Sequence, residues 1–265
     1  MKILICGYGN MGKTFANSFV SSRFIAIENM FALVRNVPKN DLLIPEQNFI
    51  TDYNSLKASD FDIVVLAVKP QDFSTLSQQI SDKLNAESII LSVMAGVTIS
   101  HIEKALQSKK VVRSMPNVPT QIGLGITVFS ASKDIDRKDL FIIQNLINTT
   151  GKSLYVENET LIDAATSVSG SGPAYIFYFM QAMIDVAQQL GFSASEAEFL
   201  VTQTFLGSVN LQNRSSLSNA EWIAKVASKG GTTEQALLVF NNNNLGKTIQ
   251  IAMQKAFDRA KELGK

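Results

Sequence analysis

The first half of the chain alternates short, unbroken apolar runs with stretches of helical spacing. Ile3 to Cys6 is such a run, and Phe31 to Val34, Ile63 to Val68 and Ile89 to Val93 repeat it. Apolar runs without polar alternation predict parallel strands covered on both faces. Val111-Val112, Leu124 to Phe129 and Ser153 to Val156 predict further strands. Met11 to Ser22 predicts a helix with Met11, Phe15 and Phe19 on one face. Phe73 to Leu84 and Ile99 to Leu106 fit crossover helices, so the expected class is α/β, an open Rossmann-type βαβ sheet.

From Glu159 onward the strand signals fade and the spacing becomes helical. Ala174 to Leu190 is apolar on nearly every side, and a helix of that kind must be enclosed. Gly191 stops it, and Ser193 with Glu196 predicts a capping box for the next helix. Leu245, Ile249, Ala252, Met253, Ala256, Ala260 and Leu263 form the stripe of a last helix. The expected division is a sheet domain over 1–158 and an all-helical domain over 159–265. A small helical region holding so apolar a helix also points to a partner subunit.

Composition narrows the class. Hydrophobic residues make 46% and charged residues 18%, which excludes a disordered chain. The net charge of +1 gives no bulk attraction to nucleic acid or anionic membrane, and neither is expected as a partner. Cys6 is the single cysteine, so no internal disulfide forms, and its apolar run predicts a buried, inert thiol. The first apolar run is too short for a signal peptide, and the run from Ala174 is broken by Gln181 and Asp185. A soluble cytoplasmic protein is expected. With His101 the one histidine, no metal site and no histidine acid–base chemistry are expected. Redox chemistry needs neither when a cofactor supplies the hydride.

Gly7-Tyr8-Gly9-Asn10-Met11-Gly12 follows a predicted strand and opens a predicted helix. That context makes Gly-x-Gly-x-x-Gly a dinucleotide fingerprint: a tight turn at Gly7, close pyrophosphate approach at Gly9, close helix packing at Gly12. An NAD site normally carries Asp or Glu at the end of the second strand. Here Arg35-Asn36-Val37-Pro38-Lys39 follows it, and Arg35 can face a 2′-phosphate. NADPH is therefore expected over NADH; a solvated loop is the plainer reading of Arg35 and Lys39. Ala67-Val68-Lys69-Pro70 and Met94-Ala95-Gly96 follow later strands, where doubly wound sheets bind ligands. Lys69 either closes the loop near the cofactor or touches substrate, and Met94 and Gly96 are expected to shape the nicotinamide wall.

Two clusters of small residues precede helices in the second half. Ser167-Val168-Ser169-Gly170-Ser171-Gly172-Pro173 and Ser228-Lys229-Gly230-Gly231-Thr232-Thr233 each offer hydroxyls and backbone amides at a helix start. Each is either a cap or an anion seat.

These segments, with Arg113-Ser114-Met115-Pro116-Asn117-Val118-Pro119 and Val168 to Tyr175, resemble the pyrroline-5-carboxylate reductase family along nearly the whole chain. The resemblance implies a Rossmann domain, a helical domain interlocked with a second subunit, and dimers that often assemble into decamers of five. It implies reduction of (S)-1-pyrroline-5-carboxylate to L-proline with NADPH or NADH. With Arg35 and Asn36 after the second strand, the expected cofactor residues are Gly7, Gly9, Asn10, Met11, Gly12, Ala67, Val68, Lys69, Pro70 and Asn117. The substrate carboxylate falls to Ser228, Gly230, Gly231, Thr232 and Thr233, with Thr233 also beside the reacting ring nitrogen. Arg113 either binds substrate or fixes its loop. The sequence departs from the family at Lys229, where Pro is usual, and at Glu221 to Lys225. Lys225 leaves a second enzymatic reading open, an acid–base lysine like that of β-hydroxyacid dehydrogenases.

Overall fold

The computed structural model describes residues 1–39, 43–56 and 61–263. Its contacts divide the chain into one unit of Met1–Gly172 with Ala256–Lys265 and a second of Pro173–Lys255.

The first unit is an eight-stranded sheet ordered β3-β2-β1-β4-β5-β6-β7-β8. The strands are β1 (Ile3–Cys6), β2 (Met30–Leu33), β3 (Phe49–Ile50), β4 (Ile63–Leu66), β5 (Ile89–Ser92), β6 (Val111–Met115), β7 (Gly125–Ala131) and β8 (Gly151–Tyr155). The helices are α1 (Asn10–Ser21), α2 (Phe73–Ile80), α3 (Ile99–Leu106), α4 (Arg137–Asn148) and α5 (Thr160–Ala165). Side chains alternate across the pleat, so each apolar strand feeds two cores. Ile3, Ile5, Ile63 and Val65 join Phe15, Phe19 and Leu146 on one face. Leu4, Cys6, Val64 and Leu66 join Phe73, Ile80 and Ile102 on the other. Burial on both faces is what the unbroken apolar runs encode. Cys6 lies wholly inside, where desolvation pushes its thiol up to about 12. It is inert.

Two features add to the expected sheet. β7 runs antiparallel to β6, because only the 3-10 turn Val118–Ile122 joins them and a parallel pair needs a longer crossover. The strand β3 is too short to leave a signal in the sequence. Helix α5, the first element of the expected helical domain, packs Ile162 and Ala165 against Val128 of β7.

Past α5 the chain makes a π turn over Thr166–Gly170, and α6 (Gly172–Gln189) follows. Ser171 N–H donates to Thr166 O at 2.8 Å, and Ser169 Oγ to Ala165 O at 3.0 Å. The anion seat considered over Ser167–Pro173 is therefore not an open loop: its residues are wound into helical turns. Gly170 has a packing reason instead, since a Cβ there would lie 2.7 Å from Met115 Cε.

The second unit holds α6, α7 (Ala194–Asn213), α8 (Asn219–Val226) and α9 (Thr232–Asn242), with the start of α10 (Leu245–Glu262). Ser193 caps α7 in a capping box with Glu196, as expected. A second box, Ser218 with Glu221, starts α8 and gives the unusual Glu221 a structural role. Within the single chain α6 buries no residue; Phe177 is 62% and Tyr178 75% exposed. An apolar groove of about 970 Å³ runs between α6, α7 and α9, lined by Met183, Val186, Phe205 and Phe240 among others. The enclosure that the sequence demands is not supplied from within one chain.

Candidate active site

A cavity of about 450 Å³ opens at the C-terminal ends of β1, β2 and β4. Gly7, Gly9, Arg35, Asn36, Ala67 and Val68 of the expected set line it, together with Tyr8, Pro38, Tyr53, Asp72 and Thr75. The glycine turn is built for close approach. Gly7 has φ +96°, and a Cβ on Gly12 would lie 2.0 Å from Gly7 O. Gly9 is the N-cap of α1 and supplies no side-chain cap, so the first-turn amides remain for a ligand. A Cβ at Gly9 would meet nothing within 4 Å, so the chain itself does not require glycine there. A dinucleotide pyrophosphate fits this seat on both counts.

Of the other expected cofactor residues, Gly12 packs against Gly7 in this same turn, while Asn10, Met11, Lys69, Pro70 and Asn117 do not line the cavity. Met11 packs its side chain on the core, and Asn10 lines a separate polar cleft with Lys13, Thr120 and Gln121. Lys69 is exposed and caps the 3-10 turn Pro70–Asp72. Asn117 Oδ1 accepts Ile126 N–H at 3.0 Å, which fastens the loop after β6 to β7. Met94 is 2% exposed inside the second core, and its side chain does not line the cavity.

The cavity contains an ion pair that the sequence did not disclose. Arg35 Nη2 donates to Asp72 Oδ1 at 3.1 Å. No carboxylate follows β2, yet the turn after β4 brings one to the same place. Nothing in the linear spacing marks Asp72, because its position depends on how that turn meets β2.

Arg113 resolves its two readings. It is 1% exposed, donates to Glu159 Oε1 at 3.0 Å, and makes its second arm's bond to Asp163 Oδ1. Glu159 Oε1 also accepts the Ile99 N–H that opens α3. Arg113 ties β6 to α5 and fixes its surroundings.

In the second unit, Ser228–Gly231 forms a tight turn closed by Gly231 N–H donating to Ser228 O at 3.0 Å. Gly230 takes φ +74° as its third residue, the left-handed position that favours glycine. Lys229 is the second residue of that turn, a place where proline is readily accepted. Gly230 N–H donates to Glu234 Oε2 at 2.7 Å, so both glycine amides are engaged internally. The expected seat is accordingly narrower. Gly231 caps α9 without a side chain, leaving the amides of Thr232, Thr233 and Glu234 at the helix start. Among the described residues, neither threonine hydroxyl has a partner. Lys225 Nζ lies 5.0 Å above the Trp222 ring, a cation–π contact.

Among the described residues no cluster able to hold a metal ion is found, and no helix is long and apolar enough to cross a membrane. His101 is exposed on α3, with its ring 5.6 Å from that of Phe73.

Residues 159–263 match the family described as pyrroline-5-carboxylate reductase dimerisation, and residues 2–96 that described as NADP oxidoreductase, coenzyme F420-dependent. A pyrroline-5-carboxylate reductase of Aquifex aeolicus is 33% identical over 99% of this chain and 97% of its own length. The structure of Plasmodium falciparum pyrroline carboxylate reductase with NADP bound aligns with TM-score 0.91 at 28% identity, covering 100% of this chain and 98% of that one. The Coxiella burnetii pyrroline-5-carboxylate reductase aligns with TM-score 0.87 at 30% identity, with coverage of 100% and 98%. An N-terminal Rossmann sheet, an all-helical C-terminal part and relatives matched nearly end to end lead to one assignment: the chain belongs to the pyrroline-5-carboxylate reductase family.

Proposed function

We propose that this chain reduces (S)-1-pyrroline-5-carboxylate to L-proline with NAD(P)H, as a homodimer. The observation that carries the reading is the start of α9, where unpaired amides and the Thr232 and Thr233 hydroxyls stand at the positive end of a helix. A small carboxylate suits that seat. Thr233, half-buried, then meets the ring nitrogen, and its hydroxyl either hydrogen-bonds that nitrogen or relays a proton to it.

Gly7, Gly9, Arg35, Asn36, Ala67 and Val68 hold the dinucleotide in the cavity at the strand ends, Arg35 taking the 2′-phosphate of NADPH. The remaining family positions, Asn10, Met11, Gly12, Lys69, Pro70 and Asn117, act through backbone and loop shape. The bound nicotinamide supplies a hydride for the C=N carbon. The protein's part is to hold the imine in place, with its carboxylate fixed and its nitrogen hydrogen-bonded. The acid–base lysine reading loses ground, since Lys225 is engaged with Trp222.

The apolar groove and the exposed α6 support the homodimer, and a decamer of five dimers rests on family resemblance alone. The cytoplasm is the expected compartment. Turnover is the test: NADPH oxidation with pyrroline-5-carboxylate, yielding one proline per cofactor. Absence of turnover with either cofactor overturns the proposal.

A further inference from the structure

Asp72 is the one acidic residue, and Arg35 the one basic residue, among the described residues that line the dinucleotide cavity. They face each other at 3.1 Å. Their freedom differs. Arg35 is 79% exposed at its side chain, so its guanidinium can turn toward a ligand at little cost. Asp72 is 39% exposed and its backbone is fixed, with Asp72 N–H donating to Lys69 O at 2.9 Å in the turn that leads into α2.

We propose that Asp72 is a specificity-determining residue for the cofactor: it opposes a 2′-phosphate on Arg35 and offers its carboxylate to an unphosphorylated ribose. The inference rests on Arg35 being the 2′-phosphate contact. A phosphate taking Arg35 shares that cation with the Asp72 carboxylate, which engages one guanidinium nitrogen, and lies near a second negative charge. The exposed pair is weak and does not block the phosphate, but the carboxylate repels it. A ribose bearing free 2′- and 3′-hydroxyls meets the opposite situation, because hydroxyls donate to a carboxylate. That is the service an acidic residue after the second strand gives in NAD sites, here supplied from the turn after β4. The pair thus makes one cavity serve both cofactors, with Arg35 favouring NADPH and Asp72 limiting the margin.

Calorimetric titration of the full-length protein with NADP+ and with NAD+ tests this without turnover. Asp72→Asn should tighten NADP+ about three- to tenfold and weaken NAD+ about twofold or more, the NADP+ gain shrinking as salt rises. Asp72→Ser should move both constants in the same directions, which guards against a packing artefact of one variant. Arg35→Ala should weaken NADP+ and spare NAD+. If Arg35→Ala behaves so while the Asp72 variants leave both constants unchanged, or weaken both alike, the Asp72 role is wrong and the Arg35 reading stands. If Arg35→Ala affects both cofactors equally or neither, the Arg35 reading fails and takes the Asp72 role with it.

Discussion

Glu234 reaches back over the first turn of α9 and accepts the Gly230 N–H at 2.7 Å. One carboxylate of the protein thus holds an amide that the family resemblance assigns to the substrate. The contact pins the turn whose third residue is left-handed and leaves the Thr232 and Thr233 amides as the open donors. Glu234→Ala should loosen that turn, raising the Michaelis constant for the imine several-fold and leaving that for NADPH unchanged. Steady-state kinetics with each substrate varied in turn would check it. A rise in both constants would place Glu234 in general stability instead.

Lys229 occupies the second position of the same turn, where proline is pre-formed for the required φ. Its amide donates to no acceptor among the described residues, so no bond is lost on substitution. Lys229→Pro should stabilise the protein by about 0.4–1 kcal/mol through the unfolded chain and tighten imine binding. Urea unfolding gives the first quantity; a loss of stability would show that the turn has another geometry.

Much of the fold was legible in the sequence because β1, β4 and β5 lie in the middle of the sheet, where both faces need apolar cover. Ile3 to Cys6 and Ile63 to Leu66 could hardly be anything else. The direction of β7 was less visible, since a strand reads the same either way and only the short connection after Asn117 decides. Gly7 and Gly9 of the glycine fingerprint line the cavity at the strand ends. Asp72 and Glu234 escaped because each acts through a contact made by folding: one across two βα turns, the other along a helix that folds back on its own cap. Ser167–Pro173 misled for a related reason, as small polar residues suit a π turn as well as an open loop.

Arg113 is buried between two carboxylates, one on Glu159 and one on Asp163. Removing the cation strands both. Arg113→Met should cost about 3 kcal/mol of stability, read as a lowered urea midpoint. Specific activity of the folded fraction should survive. Loss of imine affinity with unchanged stability would return Arg113 to the substrate site.

Phe177 is exposed in the single chain, on a helix with no buried residue. Phe177→Asp should therefore leave the isolated fold largely intact and dissociate the dimer, because only the partner would bury the new charge. Sedimentation of dilute protein distinguishes the cases. A wild type that sediments as a compact monomer, or a variant that remains dimeric, contradicts the interface.

On the proposed reaction, the start of α9 holds the imine and the Thr233 hydroxyl serves its ring nitrogen. Kinetics of Thr233→Ala beside Thr233→Ser, with pyrroline-5-carboxylate and NADPH each varied, test both roles. The alanine variant should lose about tenfold in kcat/KM for the imine, as expected for one hydrogen bond, with the NADPH constant unmoved. A fall in kcat places the bond in the transition state, and a rise in KM places it in substrate binding. The serine variant, which keeps the hydroxyl, should recover most of the loss. Wild-type kinetics in Thr233→Ala, with only a lowered unfolding temperature, would remove Thr233 from the reaction and leave this turn as a helix cap alone.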